Sequence, residues 1–184
     1  MRWIGMWKDS MEELKDVRVL ACCGVLAALS IALKFVASID IGEYIRIGFS
    51  DLPGMTASVL FGPAVGGIFF AVMDIIKYML VPNGAFFPGF TLSALVNGIL
   101  FGMVCYRKDI TIARIFSVQL LSKLVVSIGL NTYWLTLLYG SAFFVILPAR
   151  ILTGLIMLPI DTMLTFSVLR LMDRLWKQSL RAAV

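Results

Sequence analysis

Four basic residues stand at or near the ends of long apolar runs, where a membrane-embedded chain rarely places charge. An ionisable side chain at such depth is costly to bury and commonly marks a ligand or ion site. Four cations brought together would concentrate positive potential on an anion, and the planar fork of arginine suits a carboxylate. The pattern therefore predicts a pocket for an anionic ligand. Its candidate residues are Lys34, Arg46, Lys77 and Arg150.

Each of the two lysines also has a purely structural interpretation. Their long stems could snorkel, so that the ammonium groups reach the lipid headgroups. Lys77 follows Asp74 by three residues and would share a helix face with it, which favours an ion pair. Neither alternative requires a ligand.

The two arginines are harder to explain by local pairing. Arg46 could pair with Glu43 or Asp51, which lie nearby in the sequence. Arg150 begins an apolar run and has no acidic residue close by in the sequence. The arginines are therefore the stronger pair of anion-binding candidates.

Acidic residues within or beside the apolar runs must find partners too. Asp161 and Lys123 occupy similar depths in two different runs, so an ion pair between them is expected. Asp51 directly precedes a run, where its carboxylate could accept two N–H bonds from an aminopyrimidine-like ring. The same carboxylate could instead cap the helix that follows.

The composition indicates that these residues belong to an integral membrane protein. Of the 184 residues, 60% are hydrophobic and only 15% are charged, whereas a soluble domain is about one-quarter charged. The formal net charge of +5 arises from basic residues near the ends of apolar runs, so it indicates membrane orientation rather than nucleic-acid binding. The chain has no histidine, which removes the commonest general base and metal ligand.

The apolar runs predict an all-α integral membrane bundle of six transmembrane helices. The second run is only about half as long as a bilayer core requires. The tails and the turn after the fourth run, together with Arg114 just inside the fifth run, hold 11 of the 16 lysines and arginines, which predicts that both termini are cytoplasmic. The four candidate cations then face the outer side. The predicted spans are 17–37, 52–61, 64–81, 90–106, 110–130 and 147–171.

Three regions follow from this division of the chain. Residues 1–16 mix aromatic and charged residues and are expected to form an amphipathic helix on the membrane surface. Residues 17–176 form the six-helix domain, and residues 177–184 form a cytoplasmic tail. Among the outer segments, 38–51 could act as a lid, and 131–141 is predicted to be a loop rich in aromatic residues.

Two of the predicted helices carry small residues at every fourth position, which allows close approach between helices in lipid. The stripe on the first span could face a membrane partner, whereas packing inside the bundle is the simpler interpretation for the stripe on the fourth. The two stripes are Gly24, Ala28 and Ala32, and Ala94, Gly98 and Gly102.

Aromatic residues gather in the outer segments. They could stack on a flat ligand or form the aromatic belt of a membrane protein. These residues are Tyr44, Phe49, Phe86, Phe87, Tyr133, Trp134 and Tyr139.

Motifs for catalysis are absent from the sequence. There is no G-x-x-x-x-G-K-[ST] phosphate loop, no H-E-x-x-H and no G-x-S-x-G, so neither ATP hydrolysis nor another enzymatic activity is expected. The two halves show no internal repeat of the kind that self-contained secondary transporters usually carry. No metal and no cofactor is expected.

Short motifs spread over nearly the whole chain resemble the substrate-binding S-components of energy-coupling factor (ECF) vitamin transporters, and within them the folate branch. The segment 46–54, RIGFSDLPG, resembles the family's connection between the first two spans. The other motifs are SMEELKDVRVL at 10–20, ALSIA at 28–32, FGP at 61–63, PNGAFFPGFTLS at 82–93, LPAR at 147–150 and LP at 158–159.

The resemblance implies six helices and a vitamin pocket in the outer half of the bundle, closed by loops. It implies that the face carrying Gly24, Ala28 and Ala32 docks on a transmembrane coupling subunit, while two cytoplasmic ATPases supply the energy. It also implies that the subunit topples in the membrane of a prokaryotic cell to release its vitamin inward.

Folate, the ligand that the resemblance implies, fits the candidate residues. Its glutamate has two carboxylates for Lys34, Arg46, Lys77 and Arg150. Its pterin has an aminopyrimidine edge, for which Asp51 and Asn97 are the candidates. Its flat rings would stack on Phe49, Phe87, Tyr133 and Trp134.

Rival interpretations remain open on the sequence. The chain could serve another vitamin, such as riboflavin, thiamin or biotin. It could also be a small channel-forming membrane protein assembled through its small-residue stripes, or a small membrane enzyme, against which the missing catalytic motifs argue.

Overall fold

The fold consists of helices and one β-hairpin. A computed structural model describes residues 2–36, 38–41, 45–82, 86–140 and 143–182, with side chains in 5–36, 49–82, 86–138, 140, 147–148 and 151–172. The helices before the hairpin are α1 (Arg2–Glu13) and α2 (Val17–Val36), and the strands are β1 (Ser38–Ile41) and β2 (Ile45–Gly48). There follow α3 (Leu52–Phe61), α4 (Pro63–Leu80), α5 (Pro88–Cys105), α6 (Ile112–Ser122), a π-helix (Lys123–Asn131), α7 (Thr132–Tyr139) and α8 (Phe143–Ala182).

Five stretches of helix in the described chain are long and apolar enough to cross a membrane. Helix α3 is apolar but has ten residues, which span about 15 Å, or half of a hydrocarbon core. Most of its residues are buried by the neighbouring helices. The five long stretches are Val17–Val36, Pro63–Leu80, Pro88–Cys105, Ile112–Leu138 and Ile151–Met172.

Two features differ from the expected bundle. The segment expected as a lid contains the antiparallel β1–β2 hairpin, in which Asp40 lies opposite Arg46. The segment expected as a loop after residue 130 is instead helical through Tyr139, so that prediction was wrong. The helix ends there because Gly140 adopts a left-handed conformation, with φ of 63°.

Helix α1 is tied to the bundle by one buried serine. The Ser10 hydroxyl donates to the Phe61 carbonyl oxygen at 2.7 Å and accepts from the backbone amides of Ala64 and Val65 at 3.1 and 3.2 Å. These groups lie at the break between α3 and α4, where Gly62, with φ of 92°, turns the chain. Ser10 therefore satisfies backbone groups that the two helix ends would leave unpaired.

Polar contacts hold the end of α1 against the turn that follows α5. Tyr106 donates its hydroxyl to Glu13 at 2.8 Å, and Arg107 pairs with Asp9 at 2.7 Å. Burial raises the pKa of Glu13, and the Tyr106 hydrogen bond and the Arg107 charge partly offset that effect. The predicted amphipathic helix thus exists, and one of its faces packs on protein.

Helices α4 and α5 approach each other so closely that side chains are excluded from their contact. A Cβ atom on Gly98 would collide with the Gly66 carbonyl, and one on Gly102 would collide with Pro63. In the same contact, a Cβ on Gly67 would lie 3.0 Å from Ile99. The small-residue stripe of the fourth predicted span therefore serves packing inside the bundle.

Substituting Gly98 with alanine is expected to destabilise the protein by about 1–3 kcal/mol, because the two backbones must separate to admit the methyl group. Thermal unfolding of the detergent-solubilised protein measures the effect. Gly24→Ala is the matched control, since a Cβ there meets no atom within 4 Å. Equal losses of Tm in the two variants would contradict the assigned role of Gly98.

Candidate ligand-binding site

One end of the bundle, called here the hairpin end, gathers most of the candidate residues. Helices α2 and α4 end there, α3 and α5 begin there, and α7 ends just before α8 begins. The hairpin follows α2 and contacts α8 at the same end. The other end holds α1 and the turn after α5, so the two ends differ in chemistry.

A serine between the hairpin and α3 connects two further helices. The Ser50 carbonyl oxygen accepts from the Ser30 hydroxyl of α2 at 2.5 Å and from Lys77 Nζ of α4 at 2.9 Å. Lys77 Nζ also reaches Ser50 Oγ at 3.1 Å and Asp51 Oδ1 at 3.0 Å. The Lys77 side chain is 15% exposed and that of Asp51 is 51% exposed. Lys77 thus links α4 to the start of α3, and the side chain of Asp51, its acidic partner, remains half exposed.

The partners of the acidic residues differ from the simplest expectations. Lys77 pairs with Asp51 rather than with Asp74, the residue three positions before it. The Asp74 carboxylate accepts from the Thr91 hydroxyl of α5 at 2.8 Å. Asp51 precedes α3 but makes no side-chain capping bond, so the capping alternative does not hold.

Three aromatic residues form what we call the aromatic corner, made of Phe87, Tyr133 and Trp134. The ring centroids of Phe87 and Trp134 are 5.5 Å apart, and those of Tyr133 and Trp134 are 5.1 Å apart. The Trp134 indole N–H donates to Ser93 Oγ at 3.1 Å, which fixes the orientation of the ring. A Cβ on Gly89 would lie 2.6 Å from the indole, so only glycine leaves room for it. The corner therefore offers a fixed surface for a flat ligand.

The remaining aromatic candidates are less enclosed. Phe86 is 48% exposed and packs on Tyr78, with ring centroids 5.1 Å apart. Phe49 is partly buried and lies directly before Ser50. The side chains of Tyr44 and Tyr139 lie outside the described residues.

Asn97 lies deeper in the bundle than Asp51. It stands nine residues into α5, about 13 Å along the helix axis from its start. Its Oδ1 accepts a short hydrogen bond from the Ser122 hydroxyl at the end of α6. Asp51 and Asn97, the two candidates for an aminopyrimidine edge, therefore lie at different depths in the bundle.

The expected ion pair between Lys123 and Asp161 is confirmed. Lys123 Nζ and Asp161 Oδ2 are 2.7 Å apart, and the two side chains are 22% and 23% exposed. Lys123 is the first residue of the π-helix, so the pair joins that helix to α8.

The candidate cations are distributed over four elements. Lys34 lies in the last turn of α2 and is partly buried, and Lys77 lies in the last turn of α4. Arg46 belongs to β2 and Arg150 to the second turn of α8, and the side chains of both lie outside the described residues.

The small-residue stripe of α2 faces away from the bundle. Gly24, Ala28 and Ala32 are all exposed, in contrast to Leu26 and Ser30 on the opposite face. This stripe is therefore available to a partner in the membrane.

Small hydroxyl residues organise the hairpin end and the level of Asn97 below it, and the sequence pattern did not single them out. The available signal was weak: an isolated polar residue in an apolar run needs a hydrogen-bond partner in lipid. These residues are Ser30, Ser50, Thr91, Ser93 and Ser122. Within the described part of the chain, no group of three or more His, Cys, Asp or Glu residues could hold a metal ion.

Known proteins resemble this chain over most of its length. The family described as "ECF transporter, substrate-specific component" matches residues 18–169. "Folate transporter FolT" of Clostridium novyi (strain NT) is 33% identical over 162 residues, covering 88% of this chain and 94% of the relative. The protein of the same name from Leuconostoc mesenteroides is 29% identical over 153 residues, covering 79% and 83%. A solved structure, "Crystal structure of FolT bound with folic acid", matches with a TM-score of 0.75 and 31% identity, covering 82% of this chain and 92% of that one.

Replacing Lys77 with methionine is expected to lower stability by about 1–3 kcal/mol, because Ser50 and Asp51 lose their shared donor. Asp51→Asn is the matched variant. It keeps an acceptor for Lys77, and the carboxylate that it replaces is half exposed, so a loss below about 1 kcal/mol is expected. Thermal unfolding separates the two, and a larger loss in Asp51→Asn would contradict the role given to Lys77.

Proposed function

Because the chain belongs to the family of substrate-specific components of ECF transporters, we propose that it binds folate at the outer face of the membrane for delivery into the cell. The observation that carries this proposal is the agreement, over most of the chain, with a solved FolT that holds folic acid. The two relatives named as folate transporters support the same ligand.

The hairpin end has chemistry that suits folate. The aromatic corner offers ring faces to the pterin and benzoate groups, with Phe49 as a further stacking candidate. Asp51 keeps a half-exposed carboxylate that can accept from the aminopyrimidine edge, and Asn97 is the second candidate for that edge. The glutamate carboxylates are assigned to Lys34, Arg46 and Arg150, because the fourth candidate, Lys77, already binds Ser50 and Asp51.

The orientation follows from the distribution of charge. The α1 end carries most of the lysines and arginines and is assigned to the cytoplasm together with both termini, which leaves the hairpin end outside. Helix α3 is counted as the sixth membrane helix, shielded from lipid by its neighbours. The expected regions 1–16, 17–176 and 177–184 are kept in this proposal.

Transport requires partners in this proposal. The chain has no phosphate-binding loop, so ATP hydrolysis is assigned to two ATPase subunits, linked through a transmembrane coupling subunit in the cell membrane of a prokaryote. The exposed face of α2 with Gly24, Ala28 and Ala32 is the proposed docking surface. Its small side chains allow another helix to approach closely in lipid.

Purified protein without partners is expected to bind folate, as measured by calorimetry, and not riboflavin, thiamin or biotin. Trp134→Ala should weaken binding by roughly tenfold, since a stacking surface is lost. Trp7→Ala, in α1 at the other end of the bundle, is the matched control and should leave binding unchanged. Absence of folate binding by the unaltered protein at micromolar ligand would overturn the proposal.

The double substitution Ala28→Leu, Ala32→Leu is expected to leave folate binding nearly intact and to abolish uptake, because bulky side chains would block the coupling subunit. The readout is ATP-dependent folate uptake by membranes containing all subunits. Ala113→Leu, at an exposed position of α6, serves as the control. Loss of binding equal to the loss of uptake would reassign the stripe to internal packing, and uptake without partners would favour a channel.

A further inference from the structure

The side-chain oxygen of Asn131 is buried without a hydrogen-bond partner, alone among the buried side-chain nitrogen and oxygen atoms in the described part of the chain. An unsatisfied buried acceptor loses its hydration and gains nothing in return, which is destabilising. Native proteins keep few such groups, and each calls for a physical explanation. A polar group held open for a ligand is one such explanation.

Asn131 is positioned by an unusual piece of backbone. It is the last residue of the π-helix, which interrupts the helical run from Ile112 to Tyr139. π-Helical turns are rare and frequently occur at functional sites. The buried Thr132 donates its hydroxyl to the Ser127 carbonyl oxygen at 3.1 Å, which holds the junction with α7 in place. This hydrogen bond holds the backbone on either side of Asn131.

The location of Asn131 connects it to the aromatic corner. Trp134 follows it by three residues, so the two lie on neighbouring positions of one helix face, one turn apart. The π-helix also packs against α5, which begins directly after Phe87 and carries Ser93, the acceptor of the Trp134 indole N–H. A ring stacked at the corner would present its edge one turn deeper, at the level of Asn131.

The two other carboxamides whose side chains the structure describes already have hydrogen-bond partners. Asn97 accepts from Ser122 through Oδ1. Gln119 donates to the Thr165 hydroxyl at 3.1 Å and lies further from the hairpin end, in the last turn of α6. In the described part of the chain, Asn131 is the carboxamide that has a buried acceptor without a partner.

We propose that Asn131 determines specificity by accepting an N–H bond from the aminopyrimidine edge of the bound ligand. Its amide presents an acceptor and a donor side by side, the arrangement with which asparagine pairs with the edge of a nucleobase. The 2-amino group of a pterin supplies the donor that the Asn131 oxygen lacks. This inference rests on the proposed function, since it assumes that the ligand is a folate.

The test substitutes Asn131 with leucine, which has similar size and no polar atom. Folate affinity is expected to fall by about tenfold or more, because the amino group of the ligand is left unpaired. The Tm of the ligand-free protein is expected to stay equal or to rise, because an unsatisfied polar group has been removed. Asn97→Leu is the matched control for stability and should lower Tm, because it strands the Ser122 hydroxyl.

An analogue of folate with a methyl group in place of the 2-amino group makes the test specific. The unaltered protein should prefer folate over this analogue, and Asn131→Leu should have lost the preference. Asn131→Asp keeps an acceptor and should therefore retain the preference for folate. This variant replaces Asn131→Leu in the test if the leucine variant does not fold. The inference would be overturned if Asn131→Leu bound folate with unchanged affinity or still preferred folate over the analogue. It would also be overturned if Asn131→Asp lost that preference. Failure of the unaltered protein to bind folate would instead overturn the proposed function.

Discussion

The contact between α4 and α5 is the constraint on which the rest of the bundle depends. Glycines near the start of α4 and the end of α5 allow the two backbones to touch, and any side chain at Gly98 or Gly102 would force them apart. At the other end of the same pair, Thr91 of α5 donates its hydroxyl to the Asp74 carboxylate of α4 at 2.8 Å. In lipid the hydrophobic effect does not draw helices together, so close packing and hydrogen bonds must do so. Both are found along this pair.

The polar groups divide into those that build the fold and those that remain for a ligand. Ser10 satisfies backbone amides at the break between α3 and α4, and Lys77 satisfies the segment before α3. Both act as internal ties, because an unpaired polar group is costly where water is absent. What remains at the hairpin end is a set of aromatic faces, the half-exposed carboxylate of Asp51 and the open acceptor of Asn131. A selective pocket requires a rigid framework of hydrogen-bonded side chains around the few groups that bind the ligand.

The sequence predicted helices well where apolar runs were long, because length and hydrophobicity alone decide that a segment spans a bilayer. It also predicted the pairing of Lys123 with Asp161, since two opposite charges at one depth in lipid have few other partners. It gave the wrong partner for Lys77, because spacing along one helix says nothing about the residues of the next. It took the segment after residue 130 for a loop, because asparagine and interfacial aromatics are also typical of connections. The hydroxyl network was beyond sequence reasoning, because serines in apolar runs carry no information about which helix they face.

The fixed position of Trp134 has a consequence for spectroscopy. The chain has four tryptophans, of which Trp3 and Trp7 lie in α1 at the opposite end of the bundle. Trp176 lies near the end of α8, about 50 Å along that helix from its start. Only Trp134 stacks in the aromatic corner, with its N–H already bonded and its ring held by Gly89 and Phe87. Its emission is therefore an optical reporter for the hairpin end, and the chain carries that probe without any label.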